Sequence, residues 1–233
     1  RGMAENPETF FAHREAANKY YQAIPSIVEK YMEEISKLTG REYKLFSYYG
    51  ADDAEDVIIA MGSVTEAARE AIDHLTAQGR KVGLISVHLY RPFSSKHLFE
   101  ALPATVKRIA VLDRTKEPGA NGEPLYLDVK EAFYDKEERP LIVGGRYGLS
   151  SADITPTMVI SVYDNLALPQ PKNHFSVGII DDVTFESLPL EKEQALGGYG
   201  IFEAKFYGLG ADGTVGANKN SVKIIGDNTD KYC

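Results

Sequence analysis

The chain has 233 residues, 43% of them hydrophobic, with 34 acidic against 26 basic side chains and a formal net charge of −8. That length holds one or two domains with a real core. The acidic balance disfavours nonspecific binding to nucleic acid or an anionic membrane, and no stretch approaches the ~20 apolar residues of a membrane helix. The single cysteine, Cys233, excludes an intramolecular disulfide and any multi-cysteine metal or cluster site within these residues. It fits a reducing interior such as the cytoplasm.

The opening residues Arg1 to Pro7 carry no apolar h-region of a signal peptide. The leading arginine and the internal Met3 point to a fragment or a processed product. Residues 6–40 read as helical. Asn6 stands at an N-cap position with Pro7 at the first helical residue, and Gly40 closes the run. Apolar residues from Tyr20 through Ile24, Ile27, Val28, Tyr31, Met32, Ile35 and Leu38 recur in threes and fours. Pro25 is expected to divide the run into two helices.

From residue 55 the pattern changes. The apolar run Val57–Met61 predicts a buried strand, followed by a helix over 64–78 that stops at Gly79. Val82–Val87 predicts a second strand, with a short helix from Ser95, and Arg108–Asp113 a third. A helix over 125–133 leads to a fourth strand over 140–145, then a helix near 155–166 and a short strand at 175–180. Strands alternating with helices predict an α/β fold with a doubly wound, mostly parallel sheet.

Residues 181–200 lose periodicity around Pro189, the charged run 191–193 and Gly197-Gly198, and read as a linker. Ile201 to Tyr207 alternates as a strand does, and Val215 to Ile225 reads as a helix. These few elements cannot bury a core alone, so the segment is expected to be an incomplete α/β or α+β unit.

Three groups of residues invite a functional reading. Ser63, Arg91, Asp113-Arg114-Thr115-Lys116 and Gly145-Arg146-Tyr147 follow the predicted strands, where open α/β sheets bind ligands. Arg91, Arg114 and Arg146 either build an anion crevice or make structural ion pairs. The histidines at 13, 74, 88, 97 and 174 show no zinc spacing and read as surface or core residues, His88 beside Tyr90 and Arg91 being the one of most interest. No nucleophile elbow or C-x-x-C is present, so neither a catalytic residue nor a metal site is assigned.

The third group is GLGADGTVGANK, residues 208–219, whose first three glycines spell G-x-G-x-x-G. A strand-to-helix junction rich in glycine offers backbone N–H groups to a phosphate. A dinucleotide fold needs a second strand ending in an acidic residue. Asp227 and Asp230 lie at that distance without room for the strand and crossover. A Walker A loop needs Gly-Lys-Ser/Thr, whereas the order is Gly216-Ala217-Asn218-Lys219-Asn220. The pattern leaves open a generic phosphate contact, with Lys219 and Lys223 as charge partners, and a plain turn.

Six segments carry a resemblance: ISKLTGREYKLFSYYG (35–50), VIIAMGSV (57–64), KVGLISVHLYRPFS (81–94), IAVLDRTKEPGANGEPLYLDV (109–129), VGGRYGLSS (143–151) and GLGADGTVGANKNSVKIIGDNTD (208–230). In this order they resemble an internal piece of the pyruvate:ferredoxin (flavodoxin) oxidoreductases. The resemblance implies a layout. Residues 1–46 would be the C-terminal helices of the pyruvate/thiamine-diphosphate domain. Residues 47–200 would be a transketolase C-terminal-like domain with a linker, and 201–233 the start of the coenzyme A-associated domain.

The resemblance implies that Asp212, Gly213, Thr214, Val215, Gly216 and Lys219 form a partial coenzyme A site. It places thiamine diphosphate and the [4Fe-4S] clusters on segments outside this piece. It further implies partners: the remaining domains of the same enzyme, ferredoxin or flavodoxin, and a second copy in a homodimer. The location would be the cytoplasm, or an anaerobic organelle such as a hydrogenosome. The piece alone is expected to be non-catalytic. Two other readings compete, a nucleotide-binding α/β module and a structural domain for subunit contact.

Overall fold

A computed structural model of the chain describes residues 4–190, 192, 196, 202 and 204–231. The expectations at Arg1, Met3, 191, 193–195, 197–201 and Cys233 lie outside the described residues, and with them part of the linker and the start of the strand at Ile201. The chain parts into two compact units, Arg1–Leu196 and Gly197–Cys233.

The first unit opens with α1 (Pro7–Ala16) and α2 (Asn18–Thr39). Pro7 takes the first helical position and Asn6 the N-cap, although its side chain makes no capping bond. Gly40 closes α2 in the left-handed region at φ 69°, its N–H bonded to the Ser36 carbonyl at 2.9 Å. The division into two helices falls at Ala17, not at Pro25, which sits inside α2. The missing Pro25 N–H costs one helical bond to the Tyr21 carbonyl. The turn survives because Val28 and Met32, one and two turns on, pack against the core below.

Six strands follow: β1 (Phe46–Gly50), β2 (Asp56–Ala60), β3 (Val82–Val87), β4 (Arg108–Asp113), β5 (Leu141–Arg146) and β6 (Phe175–Ser176). They form one sheet in the order β1-β3-β2-β4-β5-β6. All neighbouring pairs are parallel except β1 with β3, which runs antiparallel at the edge with Phe46 opposite Val87. The doubly wound, mostly parallel α/β sheet is therefore present, with an edge strand that the apolar runs did not announce. The strand expected over 175–180 is only two residues long.

The helices between the strands are α3 (Val64–Ala77), α4 (Ser95–Ala101), α5 (Pro124–Ala132) and α6 (Pro156–Ala167). They cover both faces of the sheet. Ile58, Leu84, Ala110 and Leu112 bury against α3 and α6. Val57, Ile59, Ile85, Ile109 and Val111 bury against α4 and α5. Alternation within each strand sends neighbouring side chains to opposite cores, which is why a strand with no polar face is stable. Each fully buried Val, Ile or Leu contributes about 1.5–3 kcal/mol relative to exposure.

The Gly144-Gly145 pair is structural: a Cβ at Gly144 would lie 2.9 Å from Cγ of Tyr126, and one at Gly145 would run into the Phe175 ring. Those two rings are among the largest fully buried side chains.

In the second unit, residues 204–213 form an irregular loop and α7 spans Thr214–Asn228. The strand expected over 201–207 is absent at 202 and 204–207. An isolated extended segment leaves its N–H and C=O groups without a ladder partner. Among the described residues no helix is long and apolar enough to cross a membrane.

Candidate functional site

The loop before α7 is organised by one carboxylate. Asp212 accepts the N–H of Leu209 at 2.7 Å through Oδ2 and the N–H of Thr214 at 3.0 Å through Oδ1. Those bonds, the Leu209 N–H foremost, pull its pKa from 3.8 to about 2. Gly210 and Gly213 take left-handed φ values of 99° and 86°, which side chains with a Cβ adopt only under strain. A Cβ at Gly208 would lie 2.6 Å from the Thr214 hydroxyl oxygen. These three glycines are thus accounted for by the turn itself.

At the start of α7, Thr214 donates to Asp212 and Ala217 makes a helical bond to the Gly213 carbonyl at 3.0 Å. Between them, the amides of Val215 and Gly216 are first-turn donors of the kind a helix leaves over. A Cβ at Gly216 would meet nothing within 4 Å, and Lys219 is exposed one turn on. The six residues singled out in the sequence therefore do lie on one loop and helix start. They split into a loop-shaping set, Asp212, Gly213 and Thr214, and an outward-facing set, Val215, Gly216 and Lys219.

In the first unit, the residues that follow the strands separate. Ser63, Asp113, Arg114, Thr115 and Tyr147 line one cavity of about 350 Å³, together with Met61, Gly62, Tyr90, Leu112 and Pro124. Arg91 instead pairs with Asp128 at 2.7 Å and lies over the Tyr90 ring, 4.0 Å from its centroid. Arg146 donates to the His174 carbonyl. The three arginines do not converge: only Arg114 lines the cavity.

Asp113 is a cap. Its carboxylate accepts the N–H groups of Leu125 and Tyr126 at 3.0 and 3.1 Å, at the start of α5. Burial raises its pKa against the lowering effect of those two bonds. Burial likewise raises the Tyr147 phenol, and burial with the Asp128 carboxylate pushes Tyr90 to about 12.

One buried polar group had not been singled out: Glu123, at the N-cap of α5, is 3% exposed and its Oε2 has no hydrogen-bond partner among the described residues. Gly122-Glu123-Pro124 marks a helix start in the sequence, yet nothing local tells that the carboxylate is buried.

The histidines have ordinary surroundings. His97 lies 2.6 Å from the Ser94 hydroxyl and 3.7 Å from Glu29. His74 meets Gln78, His13 meets Glu5, and His174 packs edge-on to Tyr126. His88 is exposed, with its backbone N–H on the Leu45 carbonyl at 2.9 Å. No group of three or more metal-ligating side chains gathers among the described residues.

Comparison with known proteins supplies what the geometry does not. Residues 54–159 match the family model described as pyruvate:ferredoxin oxidoreductase core domain II. The pyruvate-flavodoxin oxidoreductase of Enterobacter agglomerans is 60% identical over 233 residues, covering 100% of this chain and 20% of that protein. The pyruvate:ferredoxin oxidoreductase of Moorella thermoacetica is 57% identical over 232 residues, again 100% of this chain and 20% of the relative. A solved 2-oxoglutarate:ferredoxin oxidoreductase from Magnetococcus marinus, with 2-oxoglutarate, coenzyme A and succinyl-CoA bound, is 24% identical with a TM-score of 0.37. It covers 55% of this chain and 20% of that one. The chain thus spans about one fifth of the length of the curated relatives it matches. At this identity along its whole length, the chain matches an internal segment of the pyruvate:ferredoxin (flavodoxin) oxidoreductases.

Proposed function

We propose that the protein containing this chain oxidises pyruvate with coenzyme A, giving acetyl-CoA, carbon dioxide and a proton, while two electrons pass to ferredoxin or flavodoxin. The observation that carries the reading is the 60% identity to a pyruvate-flavodoxin oxidoreductase across every residue of the chain. Thiamine diphosphate would supply the carbanion chemistry, and the [4Fe-4S] clusters the electron path. With Cys233 as its only cysteine, the chain does not fit a cysteine-ligated cluster. Both groups belong to other segments, and residues 1–233 alone are non-catalytic.

The part of this chain in the reaction is coenzyme A binding at residues 208–219. Asp212 is already the loop's own anion, so its role is to hold the loop, with Gly213 supplying the left-handed turn and Thr214 the bonded amide. The Val215 and Gly216 amides and the Lys219 ammonium are the groups left to meet a phosphate. The exposed aromatic residues of α1 and α2, including Phe11 and Tyr20, serve as contact surface for the remaining domains. The enzyme works as a homodimer in the cytoplasm or an equivalent anaerobic compartment. Residues 1–46, 47–200 and 201–233 correspond to the end of a pyruvate-binding domain, a transketolase C-terminal-like domain and the start of a coenzyme A domain.

The test uses the complete enzyme. Pyruvate should reduce ferredoxin or flavodoxin only when coenzyme A is present, and coenzyme A should slow hydrogen exchange across residues 208–219. Reduction driven by 2-oxoglutarate but not pyruvate would overturn the substrate, and unprotected 208–219 would overturn the site. Pyruvate-dependent dye reduction by residues 1–233 alone would overturn the non-catalytic reading.

A further inference from the structure

We propose that the cavity between the ends of β2 and β4 is a binding site for a small organic anion, a carboxylate or phosphate monoester with a short, flat apolar body, recognised by Arg114. Topology puts it at the place where such sheets bind ligands. The chain leaving β2 turns into α3 against one face of the sheet, and the chain leaving β4 leads to α5 against the other. Neighbouring parallel strands whose connections diverge to opposite faces leave a crevice at their carboxyl ends. The cavity of about 350 Å³ opens there, between Met61-Gly62-Ser63 and Leu112 to Thr115.

Its walls are held by bonds that do not involve a ligand. The Tyr147 hydroxyl donates to the Met61 carbonyl at 3.3 Å, joining the loops after β5 and β2. Arg114 Nε donates to the Gly148 carbonyl at 2.9 Å, and Asp113 caps α5. A preformed site binds without first ordering its own loops. Its volume sits near the small end of ligand pockets, about 300–1,000 Å³, which suits one ring or a short acid.

The lining chemistry sets the ligand class. Met61, Leu112 and the rings of Tyr90 and Tyr147 form an apolar floor. Arg114 is the cation of the lining and is exposed; with Nε on Gly148, its two Nη groups are the donors left to offer a carboxylate or phosphate. The one lining carboxylate, Asp113, has both oxygens committed to the Leu125 and Tyr126 amides of α5. It opposes an incoming anion less than a free carboxylate would, because those two N–H dipoles offset part of its charge. This reading is independent of the coenzyme A loop, which lies in the other unit.

The test is hydrogen exchange on the complete enzyme titrated with benzoate and, separately, phenyl phosphate. At least one should saturably shift the exchange of the peptides holding Gly62-Ser63 and Arg114-Thr115, and the stronger of the two tells which head group the site prefers. Benzyl alcohol should bind at least tenfold more weakly. Arg114→Gln should weaken the anion at least fivefold. Since that variant also loses the Gly148 contact, Thr115→Trp, which obstructs the mouth from a half-buried position, should abolish the shifts without that loss. No saturable shift from either anion, equal binding of benzyl alcohol, or unchanged binding in both variants would overturn the proposal. So would inorganic phosphate reproducing the same shifts at the same concentration, since the apolar body would then be irrelevant.

Discussion

The carboxylate of Asp113, the last residue of β4, accepts the backbone N–H of Leu125 at 3.0 Å. Eleven residues of connection lie between them. The bond, with its companion to Tyr126, ties the start of α5 to the strand end that borders the cavity. A single side chain thus fixes both a helix start and a wall.

Replacing it has a calculable cost. Asp113→Ala leaves the amides of two buried residues, Leu125 and Tyr126, without an acceptor. An unpaired buried donor costs about 1–3 kcal/mol, so the variant should lose about 2–4 kcal/mol in urea unfolding followed by circular dichroism. Asp113→Asn keeps one acceptor oxygen and should lose roughly half as much. A loss below about 0.5 kcal/mol for the alanine variant would remove Asp113 from the capping role.

Pro25 offers the opposite sign. It sits inside α2, a helix with no buried residue, and deprives the Tyr21 carbonyl of its helical donor. A proline in a helix interior costs about 3 kcal/mol relative to alanine. Part of that is offset by the restriction proline places on the unfolded chain. Pro25→Ala should therefore stabilise α2 by about 1–2 kcal/mol, read as slower hydrogen exchange over residues 18–39. Faster exchange would show that the proline packs against Pro92 or Phe93 nearby to better effect than the lost bond.

These residues also mark what a sequence can and cannot disclose. β2, β3 and β4 were legible because they are buried on both faces and read as unbroken apolar runs with turn residues beside them. β1 was not: Phe46-Ser47-Tyr48-Tyr49-Gly50 is an edge strand, only its first residue fully buried, and its pairing with β3 is a long-range choice. The break at Pro25 was expected from a local rule that packing by Val28 and Met32 overrode. Residues 202 and 204–207 belong to a stretch with the right alternation, yet they form no strand. The loop of residues 208–219 stood out in the sequence as a candidate, but the separate parts its residues play in the turn did not. That Asp212 would spend itself on Leu209 and Thr214 follows from backbone geometry at Gly210 and Gly213. The three arginines after the strands were legible as a set, and only coordinates could show that two of them turn away.

Asp212 makes a pH prediction with a definite sign. Its pKa is lowered from 3.8 to about 2, so its contribution to loop order is complete above 3.8 and disappears as pH falls through about 2. A carboxyl-carbon NMR titration should give a midpoint near 2. At neutral pH, Asp212→Asn should speed amide exchange at Leu209 and Thr214 while leaving the first unit unchanged. A midpoint near 3.8 would mean that the two amide bonds do not persist in solution.

Gly216 separates the stability of α7 from its proposed ligand. It lies in the first turn of the helix, and a Cβ there meets nothing within 4 Å, so nothing in the free chain calls for a glycine. Alanine should stabilise the helix by up to about 1 kcal/mol, seen as slower exchange in α7. If the residue were merely a helix position, the complete enzyme would keep its KM for coenzyme A. Under the proposed role a phosphate comes up to the Gly216 amide, and a methyl group there obstructs it. The KM for coenzyme A should then rise several-fold, with the KM for pyruvate unchanged. Gly213→Ala should fail differently, because its φ of 86° strains any residue with a Cβ and disturbs the loop before any ligand arrives. A Gly216→Ala enzyme with a stabler α7 and an unchanged KM for coenzyme A would move the coenzyme away from this helix start.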